Sequence, residues 1–219
     1  MTEAFSCLDR GDISAAEQAA ERLKAMRHSS AFEIRAEIHL MRGESDLAVA
    51  VLEEGVKAAP GVWLLWQSLG NAHTFGGRFP QAQEAYARAL QCSSVDASSV
   101  HFNRGMAFAR DRHFDDALEA FGLVTSTLLR HSAATFKLAL YNDLHRFDQV
   151  VEQGSALLYE ESSSAEDRAR IHAQLARAYL LGYDDREKAR QHAEQAVGLW
   201  PHEPTARNVL GALERLQAG

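Results

Sequence analysis

The chain has 219 residues and a formal net charge of −7, and its 37 Ala and 25 Leu stand against only 11 Val, 4 Ile and 6 Thr. Ala and Leu are the least costly residues to place in a helix, whereas β-branched residues suit strands, so this balance excludes an all-β fold. The acidic charge argues against a general nucleic-acid binder, though not against a local basic patch, and 46% hydrophobic residues supply a sizeable core, which excludes intrinsic disorder.

In chain order, the same arrangement of small and large residues returns about every 34 positions. Ala4, Cys7, Gly11, Ala16, Ala20 and Leu23 fit a first unit with a shortened opening helix. Phe32, Ala36 and His39, then Gly43, Ala48, Leu52 and Gly55, form a second unit ending at Pro60. The third is the most complete: Trp66, Leu69-Gly70 and His73, a Gly76-Gly77 turn, then Ala82, Tyr86 and Ala89. Gly105, Phe108, Phe114, Ala117 and Phe121 repeat it. The unit around Tyr141, Phe147 and Val150 is degenerate, with Leu138 where a small residue is usual and Gly154 where an aromatic is usual. Leu175, Ala176, Tyr179, Ala189, Ala193 and Ala196 form a sixth unit ending at Pro201, with one residue inserted near Tyr183-Asp184-Asp185, and Leu210-Gly211 begins the pattern again.

This run of residues resembles the tetratricopeptide repeat (TPR), a 34-residue helix-turn-helix unit. The resemblance covers essentially the whole chain. It implies an all-α, right-handed α-solenoid, a single domain of six hairpins at about 1–28, 29–62, 63–96, 97–130, 131–164 and 165–202, closed by a capping helix at about 204–217. Small residues let the two helices of a hairpin approach closely, and hairpins stack because one alone cannot bury its apolar face. The segment Glu160 to Asp167 lengthens one connection. It reads as a longer loop with Ser164 and Asp167 as a capping pair, or as a hinge.

Nothing in the sequence points to catalysis, and no enzyme is expected. There is no Gly-x-Ser-x-Gly, no phosphate-cradling Gly loop and no Cys-x-x-Cys. Of ten histidines, His39 and His73 stand where the family usually has Tyr, and His101 and His172 where it has Trp, so they read as packing residues. His192, two residues from Glu194, reads as solvated surface. No His pair has zinc-helix spacing, so neither metal nor cofactor is predicted. Asp115-Asp116 and Asp184-Asp185 fall near the starts of second helices, where carboxylates complement the helix dipole. Cys7 and Cys92 read as free thiols of a reducing compartment. The start MTEAFSCLDRGD lacks a basic, apolar leader, and the longest apolar run, Leu47 to Leu52, is too short to span a bilayer. The expectation is a cytoplasmic protein without membrane insertion.

The resemblance places function on the concave groove lined by the first helices. Aligned with the family pattern, the predicted groove residues are Leu64, Gln67, Asn71, Phe75, Phe102, Asn103, Met106, Arg110, Asn142 and Arg177, with Ser68, Ser132, Thr135, Phe136, Ala139, Arg170 and Gln174 also pointing inward and Glu33, Glu37 and Met41 at the N-terminal end. Asn71, Asn103 and Asn142 offer amides to an extended backbone. The glutamates at one end and Arg110, Arg170 and Arg177 at the other predict a charge gradient that orients a ligand by its acidic end. Some family members clamp the carboxylate terminus of chaperone tails with two Lys, two Asn and an Arg. Asn71 and Asn103 match the two Asn, but Gln67 and Ser132 occupy the Lys positions and Phe136 the Arg position, so this chain departs from that clamp. The predicted function is a non-catalytic adaptor or scaffold holding a peptide or helix of a partner protein; the alternative is a self-assembling, homo-oligomeric scaffold.

Overall fold

The computed structural model describes residues 6–8, 10–26, 28–160 and 164–218. Ala4 of the first unit and the centre of the lengthened connection, 161–163, lie outside the described residues. A helical turn at 6–8 leads into α1 (Ile13–Ala25), and helices then follow in pairs: α2 (Ser30–Met41) with α3 (Ser45–Ala58), α4 (Trp63–Phe75) with α5 (Phe79–Leu90), α6 (Ala97–Arg110) with α7 (Phe114–Gly122), α8 (Arg130–Asp143) with α9 (Phe147–Leu158), and α10 (Ala165–Gly182) with α11 (Arg186–Leu199). A last helix, α12, covers Pro204–Ala218. No strand occurs among the described residues. The chain groups into two compact units, residues 1–120 and 121–219.

One turn chemistry joins every pair. The first helix ends in a Schellman-type closure, in which the backbone N–H three residues past the end of the helix bonds back to a carbonyl in its last turn. Asp12 N donates to Cys7 O at 2.8 Å, Glu44 to His39 at 2.9 Å, Arg78 to His73 at 2.8 Å, His113 to Phe108 at 2.9 Å and Arg146 to Tyr141 at 2.8 Å. In the α10–α11 turn the bond is one residue longer, Asp185 N to Tyr179 O at 3.0 Å, which is where the sequence carries its inserted residue. The residue before each donor is left-handed: Gly11, Gly43, Gly77, Arg112, His145 and Asp184 all have positive φ. Only three of the six are glycine. A Cβ at Gly77 would touch nothing, so Gly77→Ala should lose about 1 kcal/mol through backbone conformation alone, and Arg112→Gly should gain up to about the same amount. Urea unfolding of the two variants checks both signs.

Packing between helices follows the small–large alternation. In the first unit, Ala36 lies in one cluster with Leu52, Leu65 and Leu69, and Gly70 receives the ring of the fully buried Tyr86. In the second unit the degenerate pair has exchanged its sizes. Leu138 is fully buried on the first helix, and a Cβ on Gly154 would come within 3.0 Å of Leu175 and 3.5 Å of Leu138. The large residue of the pair is on the opposite helix. At the chain's end, Val209 and Leu213 of α12 bury against the alanine rows of α10 and α11, namely Ala173, Ala176, Ala189, Ala193 and Ala196. Arg207, Glu214, Arg215 and Gln217 of α12 face solvent.

Candidate functional site

In the first unit, α2 packs on α4 and α4 on α6, so three successive first helices share a face. Helical repeat spacing sets three rows across it. Glu33, Gln67 and Phe102 form one row, Glu37, Asn71 and Met106 the next, and Met41, Phe75 and Arg110 the third. Apolar side chains are exposed here: Phe75 by 44% and Met106 by 37%, with Met41 also open. The Arg110 guanidinium lies 5.7 Å from the Phe75 ring centroid, a cation–π contact across neighbouring first helices. Leu64 and Phe102 are half-buried.

The two asparagines of this unit are tied differently. Asn71 Oδ1 accepts from the Tyr86 hydroxyl at 2.8 Å, which fixes the amide and leaves its Nδ2 hydrogens without a partner among the described residues. Asn103 Nδ2 donates to Ser99 O one turn back, at 2.9 Å. Gln67 is 9% exposed, and its Oε1 accepts no hydrogen bond. The same holds for Glu33 Oε1, on a residue 8% exposed. Desolvation raises the Glu33 and Glu37 carboxyls from their ordinary value.

Asn142, Arg177, Arg170 and Phe136 lie in the second unit and are engaged there. Asn142 is 1% exposed, and its Nδ2 donates to both the backbone O and the side-chain Oε1 of Gln174, each at 3.0 Å. It braces α8 against α10 and presents no amide to an extended ligand. Arg177 donates to Asp143 at 2.7 Å. Arg170 donates to Glu166 at 2.6 Å and lies 5.3 Å from the Trp200 centroid. Phe136 stacks on Phe121 at 5.7 Å. The expected basic end of a charge gradient is thus largely neutralised within its own unit, whereas the acidic end is not.

Ser164 caps α10, accepting from Asp167 N at 3.0 Å, and Asp185 caps α11, accepting from Lys188 N at 3.0 Å. His73 is buried and accepts from Arg78 Nε at 3.1 Å; Arg78 also pairs with Asp46. His192 corrects the sequence reading. It is half-buried, its Nδ1 lies 2.9 Å from that of His172, and its ring stacks on Tyr179 at 5.5 Å. Burial, the second imidazole and Arg168 together push His172 down to about 4. No group of three or more potential ligands for a metal ion is found among the described residues.

A tetratricopeptide-repeat family model matches residues 6–62 and 68–141, more than half the sequence. The chain belongs to the tetratricopeptide-repeat family. Solved structures agree on the fold. PilF of Pseudomonas aeruginosa superposes with a TM-score of 0.68 at 16% identity, over 95% of this chain and 94% of that one. A chain of the APC/C hetero-tetramer Cut9–Hcn1 gives 0.67 at 17% identity over 96% of this chain, which spans only 41% of its length. YrrB, a TPR protein with an unusual peptide-binding site, gives 0.59 at 13% identity, over 87% and 96% of the two chains. At these identities the likeness concerns fold alone. No curated protein matches the sequence. Among the described residues, no helix of this TPR chain is long and apolar enough to cross a membrane.

Proposed function

We propose that the chain is a non-catalytic adaptor that holds a peptide segment of a partner protein on the face shared by α2, α4 and α6. The observation that carries this reading is the group of exposed apolar side chains, Met41 and Phe75 of one row and Met106 of the next, beside the oriented and open Nδ2 of Asn71. An isolated exposed apolar residue needs no explanation; a group of them beside an open amide marks a binding surface. The first helices are held by hairpin packing before any ligand arrives, so the entropy of ordering falls mainly on the partner. The family's interaction role and the peptide site of YrrB are consistent with it.

The test avoids Asn71, whose carbonyl anchors Tyr86. Met106→Ala and Phe75→Ala remove exposed surface and should change stability by less than about 1 kcal/mol. Together they should weaken a partner captured from native extract by tenfold or more, the effect of losing a central apolar anchor. Undiminished capture by a double variant of native helicity would place the binding surface elsewhere.

A further inference from the structure

We infer that the α2–α4 end of this face takes a cationic side chain, a lysine or preferably an arginine of the bound peptide, on Glu33, Glu37 and Gln67. The inference rests on the peptide-holding reading and names the chemistry that would be held.

Two acceptor oxygens on this face are buried without a donor. Glu33 Oε1 and Gln67 Oε1 sit on residues more than nine-tenths buried, at equivalent positions of successive repeats, and neither accepts a hydrogen bond. Such oxygens are rare in folded proteins because each loses its water without replacement. Glu37, one helical turn from Glu33, adds a second carboxylate to the same face. Desolvation raises both carboxyls. Four arginines of the unit are engaged elsewhere. Arg42 bonds to Glu17 at 2.7 Å, Arg78 pairs with Asp46, Arg104 donates to Gln83 at 2.9 Å and Arg110 lies over Phe75.

Two orphaned acceptor oxygens beside a second carboxylate favour a group that brings donors and positive charge but no acceptor. Among side chains these are the ammonium and the guanidinium. The guanidinium suits three separated acceptors better, because its planar fork presents five N–H groups and is less strongly hydrated. The α6 side of the face continues with Phe102 and Met106, which suit an apolar residue of the same ligand. Helix axes lie about 10 Å apart and an extended chain advances about 3.3 Å per residue, so the cationic and apolar residues should stand roughly three to six positions apart.

The test uses synthetic peptides. A degenerate 12-mer library is selected on the intact protein, and an enriched peptide is compared by fluorescence anisotropy with a copy carrying citrulline, the neutral isostere, in place of its arginine. Enrichment of Arg or Lys over Asp and Glu is expected, with at least tenfold weaker binding of the citrulline peptide. Glu33→Gln should abolish that difference, and Glu37→Gln, a surface change that leaves the fold intact, should reduce it. Met106→Ala should weaken both peptides equally. If the enriched peptides show no basic preference, or citrulline binds as well as arginine while Met106→Ala still weakens binding, the charge assignment is wrong and the adaptor reading stands. If the library shows no enrichment on wild-type protein relative to the Phe75→Ala/Met106→Ala variant, the adaptor reading fails and this inference fails with it.

Discussion

Gly70→Ala should destabilise the first unit by about 2 kcal/mol, although alanine is the better helix former. A Cβ at position 70 would lie 2.6 Å from Tyr86 Cε1, 2.8 Å from Cδ1 and 2.9 Å from Cζ. The ring has no room to retreat. It is fully buried, its hydroxyl donates to Asn71 at 2.8 Å, and Thr74 Oγ1 lies 3.3 Å away. Burial also pushes the Tyr86 phenol up to about 12, so it stays a neutral donor across the physiological range. Forcing a methyl into a filled core costs about 1–3 kcal/mol and occasionally more, and the helix-propensity gain of about 1 kcal/mol offsets only part of it. The equivalent pair one repeat earlier is Ala36 with Leu52, a larger first residue facing a smaller second. Gly70→Ala/Tyr86→Leu copies that solution and should be more stable than the sum of the two single variants by about 1 kcal/mol or more, the size typical of contacting pairs. Strict additivity in urea unfolding would refute the steric account.

That pairing also shows what a linear reading can reach. Gly70 and Tyr86 were recognisable because they follow the family's order of sizes. Leu138 and Gly154 look degenerate because the pattern assigns each size to one helix, whereas the larger side chain can come from either. Turn positions behaved similarly. Gly11, Gly43 and Gly77 announce a left-handed residue, but Arg112, His145 and Asp184 adopt the same conformation without a composition signal, since the Schellman bonds hold them there. The face of α2, α4 and α6 was legible from helical spacing, including its glutamates, amides and apolar residues. Whether each group was engaged was not. Asn142 looked like Asn71 on that spacing, yet one braces two helices and the other keeps its amide open. Arg177 looked like a free cation until Asp143, one repeat earlier, was found to hold it. Across helices, partner choice depends on side-chain direction and depth as well as register, and sequence spacing fixes only register.

The second unit should lose stability as pH falls from about 6.5 toward 4, through His172 and His192. Their Nδ1 atoms are 2.9 Å apart, so one ring must donate and the other accept; the accepting ring must be neutral, and protonation of both rings breaks the bond. Burial is the main cause of the low His172 value, with His192 and Arg168 adding to it; burial and Lys188 lower His192. In the unfolded chain, His172 takes up its proton near 6.5, while in the fold it stays neutral to about 4. Over that window the unfolded state therefore binds more protons, and stability declines with falling pH. The span corresponds to at most about 3 kcal/mol from His172, because each pKa unit is worth 1.36 kcal/mol. Glu203, at the start of α12, acts with the opposite sign. Burial raises its carboxyl, so protonation on acidification favours the fold and masks part of the loss. A difference measurement removes this mask. His172→Phe keeps an aromatic in the niche and deletes both ring nitrogens. Its stability relative to wild type should improve by about 2 kcal/mol between pH 7 and pH 4.5, while Glu203, which is common to both proteins, cancels. A gap between the two proteins that is the same at both pH values would show that the imidazole pair does not govern the acid response.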